Sequence, residues 1–209
     1  MKKDIIIFAI AIGTIFVGIQ LLDQPVKYGP GILVNSVPEQ HELTEDSIQP
    51  FIIDKQYTIR PIAEFSLKAK VLGKESYYFD TESDLVKYDL ALGWLEMSDE
   101  EVLSEIDISQ SGRFFYWHTD KFPVPRKKIE HNSANMHLIP ANDDIEDAIS
   151  DVREGEIIKL EGYLVRVSKS GGWKWNSSLS RNDTGDGACE LIWVESFSTV
   201  DNPFEDVDL

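Results

Sequence analysis

The chain has 209 residues, with 20 Lys and Arg against 37 Asp and Glu, a formal net charge of −17. Such a chain repels the phosphate backbone, which argues against nucleic acid as a partner. One cysteine cannot close an internal disulfide, so stability must come from a core, and 42% hydrophobic residues, 11% aromatic, are enough to pack one.

Ile5 to Leu22, "IIIFAIAIGTIFVGIQLL", is uncharged throughout. A bilayer core takes about 17–25 apolar residues as a helix, and the run is just long enough. Lys2 and Lys3 precede it and Asp23 follows, which favours an N-terminus in the cytoplasm. The competing reading is a cleaved signal peptide, whose apolar core is about 7–15 residues and ends in a small-x-small pair. Here the run is longer and "GIQLLDQPVKYGPG" offers no such pair. Residues 1–22 are therefore read as a transmembrane anchor and the rest as exported.

Residues 23–56 carry Pro25, Pro30, Pro38 and Pro50 with Gly29 and Gly31. Proline fixes φ and lacks a donor, so this stretch is expected to run as an extended tether, with "GILV" able to dock as an edge strand. Residues 57–197 are expected to form the exported domain, and residues 198–209 an acidic flexible tail.

In "AEFSLKAKVLG", Phe65, Leu67, Ala69 and Val71 alternate with polar residues, the pattern of a half-buried strand. Tyr77 to Phe79 continue into a short strand or turn. "SDLVKYDLALGWLEMSDEEVLSEI" is expected to be helical. Asp89 to Trp94 form a short helix or 3-10 turn; then Ser98 and Glu101 make a capping box, with Val102, Leu103 and Ile106 on one face. "RFFYWHTD" has aromatics at both parities and reads as a central strand. "KFPVPRKKIEHNSAN" is a loop, and "MHLIPA" a short strand closed by Pro140. "NDDIEDAISDV" is a second helix, capped by Asn142, with Ile145, Ala148, Ile149 and Val152 inward.

"EIIKLEGYLVRV", "WKWNSSLS" and "CELIWVESF" are three strand patterns joined by turn-rich segments. In the first, Ile158 and Leu160 share one parity and Tyr163, Val165 and Val167 the other. A one-residue bulge at Gly162 would bring both sets to one face. Bulged, bent strands turn the corners of small barrels. The fold class expected is α+β: the N-terminal transmembrane helix, then a small OB-like antiparallel β-barrel with two short helices.

Asp183-Thr184-Gly185 spells the D-T-G of an aspartic protease, but "SLSRN" before it is polar where those enzymes have an apolar strand, and no second copy exists. It reads as a polar turn in which Asn182 and Asp183 bond their own backbone. Asn182, Thr184, Asp186 and Gly187 echo half an EF-hand, but the twelfth position falls on Trp193, which cannot ligate calcium. Cys189 as a nucleophile needs a base from His118, His131 or His137; its place at a strand start, with Leu191 and Trp193, fits a small buried hydrophobe. His131 and His137 lie too far apart for a usual metal-ligand pair, so no metal or cofactor is expected. Trp173 and Trp175 flank Lys174 and share a face, a possible platform for a sugar or peptide.

The segments "KYGPG", "DLALGW", "SANMHLIPA", "EGYLV", "SSLSR" and "DTGDGACELIWVE" together resemble a family of uncharacterised bacterial single-pass membrane proteins with a small exported domain. The likeness covers most of the chain after the anchor. It implies a bacterial inner-membrane protein whose domain faces the periplasm, and it lends no activity. One departure is Trp94-Leu95, where the resemblance implies Trp-Gly.

The function expected is a membrane-anchored periplasmic binding or scaffold domain. It would engage an envelope protein or small ligand without catalysis, through Trp173, Trp175, Arg181, Asp183 and His137. The rival is an exported hydrolase using Cys189 or an acid near Asp183.

Overall fold

Alternation of apolar and polar residues from Tyr57 onward produces one strand, β3 (Tyr57–Ser76), which organises the whole sheet. The computed structural model describes residues 24–44, 47–54, 56–180 and 189–204. Before β3 come β1 (Glu39–Glu42) and β2 (Phe51–Ile53); after it, β4 (Tyr88–Gly93), a 3-10 turn (Leu95–Ser98), α1 (Glu100–Leu103), β5 (Asp107–Ser111) and β6 (Phe114–His118). Then follow α2 (Arg126–His131), β7 (Ser133–Pro140), α3 (Asp143–Asp151), β8 (Ile157–Lys169), β9 (Lys174–Asn176) and β10 (Glu190–Thr199).

Pairings lead from β3 to β4, β7, β10, β8 and back to β3, a small, partly closed barrel-like sheet. Its β7–β10 pair is parallel and the others antiparallel, so the expectation of a purely antiparallel barrel is corrected. Among the described residues the domain has three short helices rather than the expected two. β1 and β2 lie along the part of β3 that β4 does not cover, and β9 extends the free edge of β8.

Inward residues of all five ring strands make one core, including Phe65, Leu67, Leu92, Leu138, Leu160 and Ile192. Each such side chain contributes about 1.5–3 kcal/mol when fully buried. Helix α3 starts as expected: Asn142 Oδ1 accepts from Ile145 N at 3.1 Å. It buries Ile149 in the core, with Ile145 and Ala148 packed against it and Val152 just beyond the helix.

Several local expectations are corrected. Asp89 to Trp94 is strand and loop rather than helix, because Leu90 and Leu92 face the core while Asp89 and Ala91 face the other side. The cap of α1 is Asp99, whose Oδ1 accepts from Glu101 N at 2.9 Å. Ser98 instead latches the segment before the sheet: its Oγ accepts from Leu33 N and Val34 N at 3.1 and 3.0 Å and donates to Leu95 O. "GILV" thus docks without forming a strand, with Leu33 and Val34 in the core.

β8 keeps regular alternation: Ile158, Leu160 and Leu164 face the main core, Val165 and Val167 a second cluster on the opposite side. The register breaks belong to its partners, between Pro61 and Ala63 in β3 and between Val194 and Ser196 in β10. Gly162 serves close approach: a Cβ there would stand 1.9 Å from Trp193 O.

Leu95 adopts φ +48°, left-handed backbone that costs a side-chain-bearing residue about 1–2 kcal/mol.

Candidate functional site

Asp89 is an acid inside the run "YDLALG", and it is fully buried. A buried carboxylate must be paired and hydrogen-bonded to be tolerated. The partner comes from the β5–β6 hairpin. Its two-residue loop, Gly112-Arg113, has φ +58° and +71°, the positive values a type I′ turn requires. That turn aims Arg113 back at the barrel. Nη1 donates to Asp89 Oδ1 at 3.0 Å, Nε and Nη2 grip the two oxygens of Asp80 at 2.9 Å each, and Nη2 also donates to Val86 O. The guanidinium lies 3.7 Å from the centre of the Tyr77 ring, a cation–π contact. Asn135 and Gln110 complete the network: Gln110 Nε2 donates to Asn135 Oδ1 at 2.7 Å, and Asn135 Nδ2 to Arg113 O at 3.2 Å.

Electrostatics follow this geometry. The hydrogen-bonded Arg113 guanidinium holds the Asp80 carboxyl below its ordinary range. Burial pushes Arg113 down, but its bonds and charges with Asp80 and Asp89 outweigh that and hold it above its ordinary value. Burial foremost raises Tyr77, whose hydroxyl accepts from Arg113 N at 3.0 Å.

Thus fastened, the hairpin packs Phe115 and Trp117 over Leu72, Ala91 and Met97. It leaves a cavity of about 550 Å³ between β6 and the barrel. One wall is β6, a second is α2 with Arg126, Glu130 and His131, and the third is the start of β7 and β10, including Asn135, Cys189 and Glu190. Arg126 donates to Glu130 at 2.8 Å and lies 5.7 Å from the Trp117 ring centre. Ligand pockets are concave, mostly apolar and roughly 300–1,000 Å³, with a few convergent polar groups.

No family model, curated protein or solved structure matches this chain.

Of the residues singled out from sequence, His137 is buried, with Nδ1 2.9 Å from Asp89 Oδ1. The oxygen lies off the line of a ring N–H, so the contact is not an aligned hydrogen bond. The His137 ring packs 4.8 Å from Trp175, and Trp175 and Trp173 stand edge-on at 6.2 Å. Both indoles pack on the second cluster with Tyr57, Val167 and Trp193. Trp175 and His137 therefore meet each other, behind the hairpin network. Arg181 and Asp183, and the whole D-T-G turn, lie outside the described residues, as does the run 5–22. Among the described residues no helix is long and apolar enough to cross a membrane. Among them, too, no group of three His, Cys, Asp or Glu is placed to hold a metal ion.

"RFFYWHTD" is corrected from a central strand to one half of a two-stranded hairpin, with Tyr116 and His118 exposed. Sequence reading missed Asp89, Arg113 and Asn135. Two signals pointed to them: an acid inside an apolar run, and Gly-Arg between two strand-like segments.

Proposed function

We propose that this chain is a binding domain rather than a catalyst, held at a bacterial inner membrane through residues 5–22 with the domain in the periplasm. Its ligand is an envelope protein or small molecule seated in the cavity between β6, α2 and β7. The barrel is of the OB type. What supports that assignment is the strand order: β3, β4, β7, β8 and β10 taken as strands one to five are paired 1-2-3-5-4-1. OB barrels bind on the face of strands two and three and the loops around it. The cavity borders strand three here, and the inserted hairpin builds its outer wall. The observation that carries the proposal is this aromatic-walled cavity of about 550 Å³, backed by a buried ionic network that fixes the wall.

The test is a pull-down of the tagged full chain from detergent-solubilised membranes, with a thermal-shift screen on the same preparation. The expected result is a stoichiometric partner or a ligand that raises the midpoint. Recovery of neither overturns the proposal.

One observation favours a second reading, a thiol hydrolase: Cys189 and His131 line the same cavity. A general base must come within hydrogen-bond reach of the thiol to activate it. Hydrolysis of a peptide and ester panel, lost in both Cys189→Ser and His131→Gln, would support that reading; unchanged rates reject it.

A further inference from the structure

Side chains alternate across a strand, so a cavity seen by one face is lined by every second residue. Here six consecutive residues, Phe114 to Thr119, line the cavity. The strand therefore presents its edge, main chain included, to the open space. Its other edge is taken: β6 pairs with β5 from Ser111↔Phe114 to Asp107↔His118. Among the described residues no main-chain group of Phe114–His118 bonds to any other strand. The facing barrel strand β7 pairs with β4 from Ser133 to Leu138 and with β10 from Met136 to Pro140. Among the described residues β6 thus offers five residues of strand edge with no partner strand on the cavity side. Natural proteins usually blunt or cover such an edge; among the described residues no strand pairs with this one.

We propose that this groove binds an extended peptide by strand addition to β6, and that the peptide is basic. This rests on the binding reading above and names its ligand. Five residues of edge span about 17 Å, enough for two or three main-chain hydrogen bonds with side chains alternating into the walls. On one side of β6, Phe114 and Tyr116 stand with ring centres 6.4 Å apart and offer aromatic faces to a cationic side chain. The Arg126 guanidinium over Trp117, ion-paired with Glu130, already makes the kind of contact such a side chain would make. The opposite wall contributes the carboxylate of Glu190, which is 4% exposed. A net charge of −17 draws a basic segment in and repels an acidic one.

The experiment uses the full chain in detergent micelles and a fluorescent, end-capped hexapeptide of alternating lysine and valine. Two companions are compared: the same peptide N-methylated on alternate amides, which cannot pair along one edge, and a version with glutamate for lysine. Anisotropy gives affinities, and iodoacetamide labelling of Cys189, which lines the cavity, reports the place of binding. The lysine peptide is expected to bind and to slow Cys189 labelling. Both companions are expected to bind at least about tenfold more weakly, the effect of losing two main-chain hydrogen bonds or the charge attraction. Equal affinity of the N-methylated peptide, binding without protection of Cys189, or no binding each overturns the proposal. Self-association that protects Cys189 without peptide overturns it in favour of a second copy. A stoichiometric partner in the pull-down alongside negative peptide results removes this inference alone; failure of both removes the binding reading as well.

Discussion

Replacing Arg113 with methionine keeps an unbranched apolar stem and removes the guanidinium that joins hairpin to barrel. In the native chain that group bonds to Asp80, to Asp89 and to Val86 O. The consequence is worst at Asp89, whose carboxylate is fully buried. Deleting one member of a buried ion pair leaves an uncompensated charge and costs about 3–5 kcal/mol. Against a typical total stability of about 5–15 kcal/mol, that is a large fraction. Urea unfolding followed by tryptophan fluorescence measures it. The double variant Arg113→Met with Asp89→Asn removes the orphaned charge, and is expected to recover about 1–2 kcal/mol relative to the single variant. A single variant within about 1 kcal/mol of the parent, or strictly additive effects in the cycle, would refute the claim that this pair fastens the hairpin.

Other outcomes follow from the same contacts. Ser98→Ala should cost about 1–3 kcal/mol, because the buried N–H groups of Leu33 and Val34 lose their acceptor, and limited proteolysis should then cut near those residues. Gly162→Ala should cost about 3 kcal/mol or more, since its Cβ would collide with Trp193 O, whereas Gly29→Ala, with open space around it, should stay within about 0.5 kcal/mol in the same urea titration. Asp80 is held below its ordinary carboxylate value by its hydrogen bonds from Arg113, so the stability it lends is present above that ordinary value and lost as pH falls through the lower, folded-state value. Acid titration by tryptophan fluorescence should therefore show a step below the ordinary aspartate range that disappears in Arg113→Met.

The elements legible in sequence were those with one clear period. Phe65 to Val71 in β3, the inner face of α3 with its Asn142 cap, and the alternation Leu191–Val194 in β10 all match. β4 was misread because "LALGW" is buried on both sides, and a short apolar run carries no period that separates strand from helix. β6 was misread because aromatics half-bury themselves on either face; side-chain pattern does not say which strands remain unpaired. The bulge expected at Gly162 is absent: β8 alternates regularly and feeds one core from each face, Leu164 still joining Ile158 and Leu160, and the bulges lie in its neighbours. The buried network was legible only in outline, since an acid in an apolar run says that a cation must come but not from where.

The order of the ring also sets an order in time. Strands β3, β4, β7 and β8 precede β10 in the chain, yet β7 and β8 touch each other only through β10. Until the segment ending at Thr199 arrives, both carry a bare edge facing the gap it will fill. The last strand is thus a keystone, and the near-complete ring is a receptor for it. Any copy's β10 fits that gap, because nothing in the pairing distinguishes self from neighbour. Refolding at high concentration should accordingly divert part of the chain into strand-exchanged dimers, and dilution should suppress them.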